Sequence, residues 1–86
     1  MAHSAHIREE EAQIIGEMLG VPWDRVDIDQ FRRGIEVELE HSPRNTETEI
    51  TTDELLISGK VALAHLRESK DYYSRLEMRE QEEKRH

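Results

Sequence analysis

The chain is expected to be all-α, a compact bundle of about four short helices. Two observations point there: apolar residues recur at helical spacing in four separate stretches, and helix start and stop residues punctuate those stretches; the absence of cysteine excludes disulfides and thiolate zinc sites. The stretches are 5–19, 28–41, 53–68 and 71–82. At 86 residues the chain has room for one domain, 1–86, with its termini 1–5 and 80–86 expected to fray. Charged residues make up 37% of it and hydrophobic ones 35%, so the core is small and self-association or a bound ion would be a natural supplement.

In the first stretch Ile7, Ile14, Ile15, Met18 and Leu19 recur about every 3.6 residues, while Glu9, Glu10, Glu11 and Glu17 fall mainly elsewhere. Ser4 is a candidate N-cap, and the acidic first turns suit the helix dipole. Gly20 followed by Pro22 stops the helix: glycine takes the left-handed cap and proline resists continuation. Trp23 and Val26 then read as anchors for a short turn. Asp27 with Gln30 resembles a capping box for the second helix.

Residues 28–41 carry two patterns at once. Ile35, Val37 and Leu39 alternate with Glu36, Glu38 and Glu40, as in a strand, which leaves an α+β fold with residues 34–41 as a strand as the alternative. Ile28, Phe31, Ile35 and Leu39 also form a helical stripe. The cap and the segment's length favour the helix. On a helix Glu38 lies roughly 65° from the centre of the apolar stripe, on the side of His41, whereas Glu36 and Glu40 point to solvent.

Ser42 to Ile50 is polar, begins with Pro43 after Ser42, and reads as a loop. Thr51 or Thr52, with Asp53 and Glu54, opens the third helix, whose apolar set includes Leu55, Leu56, Val61, Ala62, Leu63 and Leu66. Gly59 is a point at which that helix could divide, with the helix proper from Ser58 to Glu68. Val61, His65 and Glu68 form one row, each about a turn apart. Ser69-Lys70-Asp71 is a break, with Asp71 capping a last helix that carries Tyr72, Tyr73 and Leu76. The two tyrosines read as core anchors with satisfied hydroxyls.

The formal net charge of −8 repels nucleic-acid phosphate and suits basic partners. No apolar run approaches the roughly 18 residues of a membrane span, and the start has neither a basic nor an apolar signal region. These features lead to the expectation of a soluble cytoplasmic protein whose partner is another protein or a second copy of itself. Four glycines offer no phosphate-binding loop, and no serine lies in a nucleophile context.

The remaining chemistry lies in Glu38-Leu39-Glu40-His41 and in His65-Leu66-Arg67-Glu68. Each places a carboxylate and an imidazole three residues apart on one helix face, the spacing by which carboxylate-bridged metal proteins project ligands into a bundle. Glu38, His41 and His65, with Glu68 as ligand or supporting group, are therefore candidate ligands for a divalent metal. Without sulfur, the donors suit zinc, manganese or iron. The same residues fit a plainer role as a surface Glu–His pair and a hydrogen-bonded, half-buried histidine.

Three blocks together resemble a family. They are Gly34-Ile35-Glu36-Val37-Glu38-Leu39-Glu40-His41, Gly59-Lys60-Val61-Ala62-Leu63-Ala64-His65-Leu66-Arg67-Glu68, and Asp71-Tyr72-Tyr73-Ser74-Arg75-Leu76. The chain is similar, over roughly residues 15 to 77, to small bacterial and phage-encoded domains of unknown function marked by Val-Glu-x-Glu-His, Ile-Ala-x-x-His-Leu and Asp-Tyr-Tyr. Ala64 stands where that family commonly has Asp, and Lys70 where it often has Pro. The resemblance implies a small helical fold, directs attention to Glu38, His41 and His65, and brings no activity with it. A looser likeness, to short, acidic, helical encapsulated ferritin-type proteins, rests on Glu-x-x-His with a distant Glu and would need a symmetric dimer to complete a two-metal ferroxidase centre. The functional expectations are thus a non-enzymatic metal-binding accessory domain, an acidic interaction module without metal, or a ferroxidase-like enzyme at a dimer interface.

Overall fold

A computed structural model describes residues 6–41 and 49–84. They form four helices, α1 (Glu9–Leu19), α2 (Ile28–His41), α3 (Thr52–Glu68) and α4 (Tyr72–Lys84), and no strand. Residues 34–41 are helical, so the strand alternative falls. None of these helices is long and apolar enough to cross a membrane. The Ser4 cap and most of the 42–50 loop lie outside the described residues.

Helix α1 begins later than its pattern suggests. Arg8, not Ser4, precedes the first turn with extended backbone, and the Glu11 carboxylate accepts from both the Arg8 N–H and its Nε, each at 3.2 Å. Gly20 ends the helix at φ +74°, the left-handed conformation that glycine adopts without steric cost, and the Val21 N–H closes onto the Gly16 carbonyl at 2.8 Å. Asp27 caps α2 through the Gln30 N–H at 3.0 Å. The reciprocal half of that box is missing, because the Gln30 side chain instead donates to the Ser74 hydroxyl on α4. Thr51 and Glu54 make a complete capping box on α3, at 3.0 and 3.1 Å. The Asp71 carboxylate, directly before α4, accepts from the Ser69 hydroxyl at 3.0 Å.

The centre of the bundle is α2, which packs on each of the other helices and most extensively on α3. Phe31 and Ile35 are completely buried, and Leu39, Ala62, Leu63, Leu66 and Tyr73 close around them. Trp23 meets the Phe31 ring edge-on at 5.7 Å. On α1 the buried row is Ala12, Ile15 and Gly16, so small residues bring that helix close and leave Ile14 and Met18 mostly exposed, contrary to their expected place in the core. Val61 is likewise on the surface.

Gly59 does not divide α3, which runs unbroken from Thr52 to Glu68. Its role is steric: a Cβ there would stand 2.9 Å from Leu19 Cδ1 and 3.1 Å from Ile15 Cγ2, so the bare backbone lets α1 lie against α3. At the end of the chain, α4 continues to Lys84, two residues past its expected limit and through part of the stretch expected to fray.

Candidate functional site

The three motif blocks meet at Glu38. The Tyr73 hydroxyl, from α4, donates to Glu38 Oε2 at 2.9 Å, and His65 Nε2, from α3, faces the same oxygen at 3.8 Å. The imidazole lies flat on the Tyr72 ring, with centroids 4.3 Å apart and planes 6° from parallel. Tyr73 turns its edge to both, at 6.3 Å from His65 and 4.9 Å from Tyr72. A carboxylate, an imidazole and two phenols on three helices thus form one packed cluster. The Glu38 side chain is 16% exposed and that of His65 34%, so the cluster opens to solvent on the histidine side.

Burial, reinforced by the Glu38 carboxylate, holds the Tyr73 phenol well above its ordinary range. A folded phenol that keeps its proton while the unfolded one releases it near pH 10 contributes stability that is complete below about pH 10 and lost above it, by about 1.4 kcal/mol per pH unit. Helical circular dichroism followed from about pH 9 to about pH 12 should therefore fall more steeply for the wild type than for Tyr73→Phe. Equal slopes would show that the phenol is not protected by the fold.

Of the other sequence candidates, His41 is exposed at the last turn of α2. It lines a cleft of about 280 Å³ between α2 and α4, together with Glu40, Glu77 and Glu80. Glu68 is exposed at the end of α3. The structure therefore brings Glu38 and His65 together, and His41 and Glu68 make no ion pair with them. Among the described residues, no three His, Asp or Glu side chains are gathered so as to hold a metal ion.

Glu40 is in solvent as its phase requires, but Glu36 is not. Its carboxylate accepts from the Ile7 N–H at 2.7 Å and from Arg32 Nη1 at 3.2 Å, with His6 Nδ1 at 3.5 Å. Arg32 also donates to the Ile7 carbonyl at 3.3 Å. Together they fix the segment that enters α1. The i, i+4 spacing of Arg32 and Glu36 was the only trace of this in the sequence. A further tie, from Arg33 Nη1 to Glu77 Oε2 at 2.8 Å, joins α2 to α4.

A family model described as a protein of unknown function, DUF5661, matches residues 12–82, most of the chain and all three blocks. The chain belongs to the DUF5661 family. The match is wider than the stretch that carried the resemblance, and it takes in the whole of α2 and α3 and nearly all of α4. Neither a curated protein nor a solved structure matches significantly. In this DUF5661 domain the Glu38–His65–Tyr73 cluster is what the family-like blocks build, at the seam of α2, α3 and α4.

Proposed function

We propose that this DUF5661 domain is a small accessory module that works by binding a protein partner, with no chemistry of its own. The observation that carries this reading is how the reactive side chains are spent. Glu38 is engaged by Tyr73, Glu36 by Ile7 and Arg32, and His65 is stacked on Tyr72, so each serves to fasten one element to another. The surface meanwhile keeps large apolar groups, with Ile14, Ile57 and Met78 each about 60% exposed, on a strongly acidic chain. That combination suits a partner with apolar and basic groups.

A second reading has one observation in its favour. Glu38 Oε2 and His65 Nε2 face each other across α2 and α3, so a divalent ion such as zinc, manganese or iron could take both as ligands and complete its shell with water. His41 and Glu68 would join only after rearrangement.

The test is metal analysis of protein purified without added metal, together with melting curves before and after a chelator. The module reading requires less than stoichiometric metal and an unchanged melting temperature. Stoichiometric metal with a chelator-sensitive melt would replace it with the second reading, and two metals per dimer with oxygen-dependent iron turnover would make the protein a ferroxidase.

A further inference from the structure

Beside α1 lies a pocket of about 380 Å³ that takes no part in the Glu38 cluster. It is lined by Gln13 of α1, by Trp23, Val26 and Asp27 of the connection, and by Ile28, which opens α2. Its lining is mixed, and the Trp23 side is fixed. Trp23 is wedged over Gly16, where an added Cβ would stand 2.4 Å from two of its ring atoms, and its edge rests on Phe31. The indole therefore cannot fold inward to fill the space, and Val26 is buried beneath it.

The surroundings of the pocket are mainly acidic. Asp27 is exposed and uses Oδ2 to cap α2, which leaves Oδ1 without a hydrogen-bond partner among the described residues. Glu9 and Glu17 stand one turn to either side of Gln13 on the same exposed row of α1, and Asp24 is exposed next to Trp23. Two basic residues are close by, Arg25 next to Asp24 and Arg8 next to Glu9, and Arg8 is turned onto Glu11. An indole beside a free carboxylate oxygen, Trp23 with Asp27, fits a guanidinium, which stacks on the one and hydrogen-bonds the other at once.

We infer that this pocket receives an arginine side chain of a basic amphipathic segment of the partner protein. The segment's apolar residues lie along α1, where Ile14 and Met18 are exposed on the rows beyond Gln13 and Glu17. This assignment rests on the reading of the chain as a binding module and adds where it binds and what it recognises. The cleft between α2 and α4 already holds its own cations, Arg32 and Arg33, paired with Glu36 and Glu77 of its lining.

Trp23 is the only tryptophan, so its fluorescence reports on the pocket directly. The probe is a synthetic amphipathic helix of arginine, leucine and alanine, about 15 residues long, with a second peptide carrying glutamate in place of arginine. Saturable change in Trp23 emission is expected with the arginine peptide and none with the glutamate peptide. Glu17→Lys and Asp27→Asn should each weaken binding about tenfold, and asparagine preserves the α2 cap. Glu80→Lys, with the same change in net charge as Glu17→Lys, should leave affinity unchanged.

Absence of a saturable signal overturns the inference. So does binding that survives Glu17→Lys and Asp27→Asn but is lost in Glu80→Lys. Neither result touches the module reading, whose own failure would appear as stoichiometric metal and a melt that depends on it.

Discussion

Replacing Phe31 by alanine is expected to cost about 3–5 kcal/mol, the range for removing a fully buried aromatic ring from a packed core. The ring sits where three helices converge: its edge meets Trp23, and its atoms lie 3.3 Å from where a Cβ on Gly16 would be and 3.4 Å from one on Gly59. A domain of this size has about 5–15 kcal/mol of total stability at most, and each kcal/mol moves its melting temperature by about 4–8 °C. Thermal unfolding of Phe31→Ala should therefore shift down by about 15 °C or more, while Phe31→Leu retains much of the contact and loses less. A shift below about 5 °C would mean that α1 and α3 close over the void, and that the ring is not the keystone its position makes it.

The second large effect is expected at Gly34. A Cβ there would stand 2.5 Å from Tyr73 Cε2, 2.9 Å from Tyr73 Cζ and 2.7 Å from the Cβ of Ala62. Alanine in place of a mid-helix glycine normally gains about 1 kcal/mol in helix propensity. Here that gain is outweighed, because the Ala62 methyl is held by the α3 backbone and cannot swing aside, so α2 and α3 must separate. Overpacking of this kind costs about 1–3 kcal/mol for small additions, and Gly34→Val should exceed that range. The separation also pulls Tyr73 off Glu38. The alkaline protection of Tyr73 should thus be reduced in any Gly34→Ala protein that still folds, which urea titration combined with phenolate absorbance can read together. Wild-type stability in Gly34→Ala would refute the tight seam.

Much of this fold was legible before any coordinates. The stripe of Phe31, Ile35 and Leu39, started by Asp27, outweighed the alternation of Ile35, Val37 and Leu39 because a cap specifies a helix and alternation alone does not specify a strand. Helical phase likewise separated Glu38 from Glu40, and the block containing His65 supplied the residue that faces Glu38. What could not be read were contacts set by distant pairs. Glu36 was assigned to solvent because its phase is measured against α2 alone, yet the strand-like entry to α1, 29 residues earlier, lies across it. Ile14 and Met18 were drawn into the core by their hydrophobicity, whereas the small residues Ala12 and Gly16 decide which face of α1 approaches. The propensity of Gly59 allows a break in α3, and only the packed neighbours Leu19 and Ile15 reveal it as a contact. Tyr73 was expected to have a satisfied hydroxyl, but the partner that satisfies it sits 35 residues away.

The placement of α2 has a mechanical consequence. Ile7, His65, Tyr73, Ser74 and Glu77 each meet that helix through a polar contact, and α1 and α4 do not touch each other among the described residues. Force applied at α4 reaches α1 only through α2 or α3, and α2 is the more closely packed of the two against both. The pocket beside Trp23 and the cluster around Glu38 lie toward opposite ends of that one rod, so α2 is the most direct mechanical link between them.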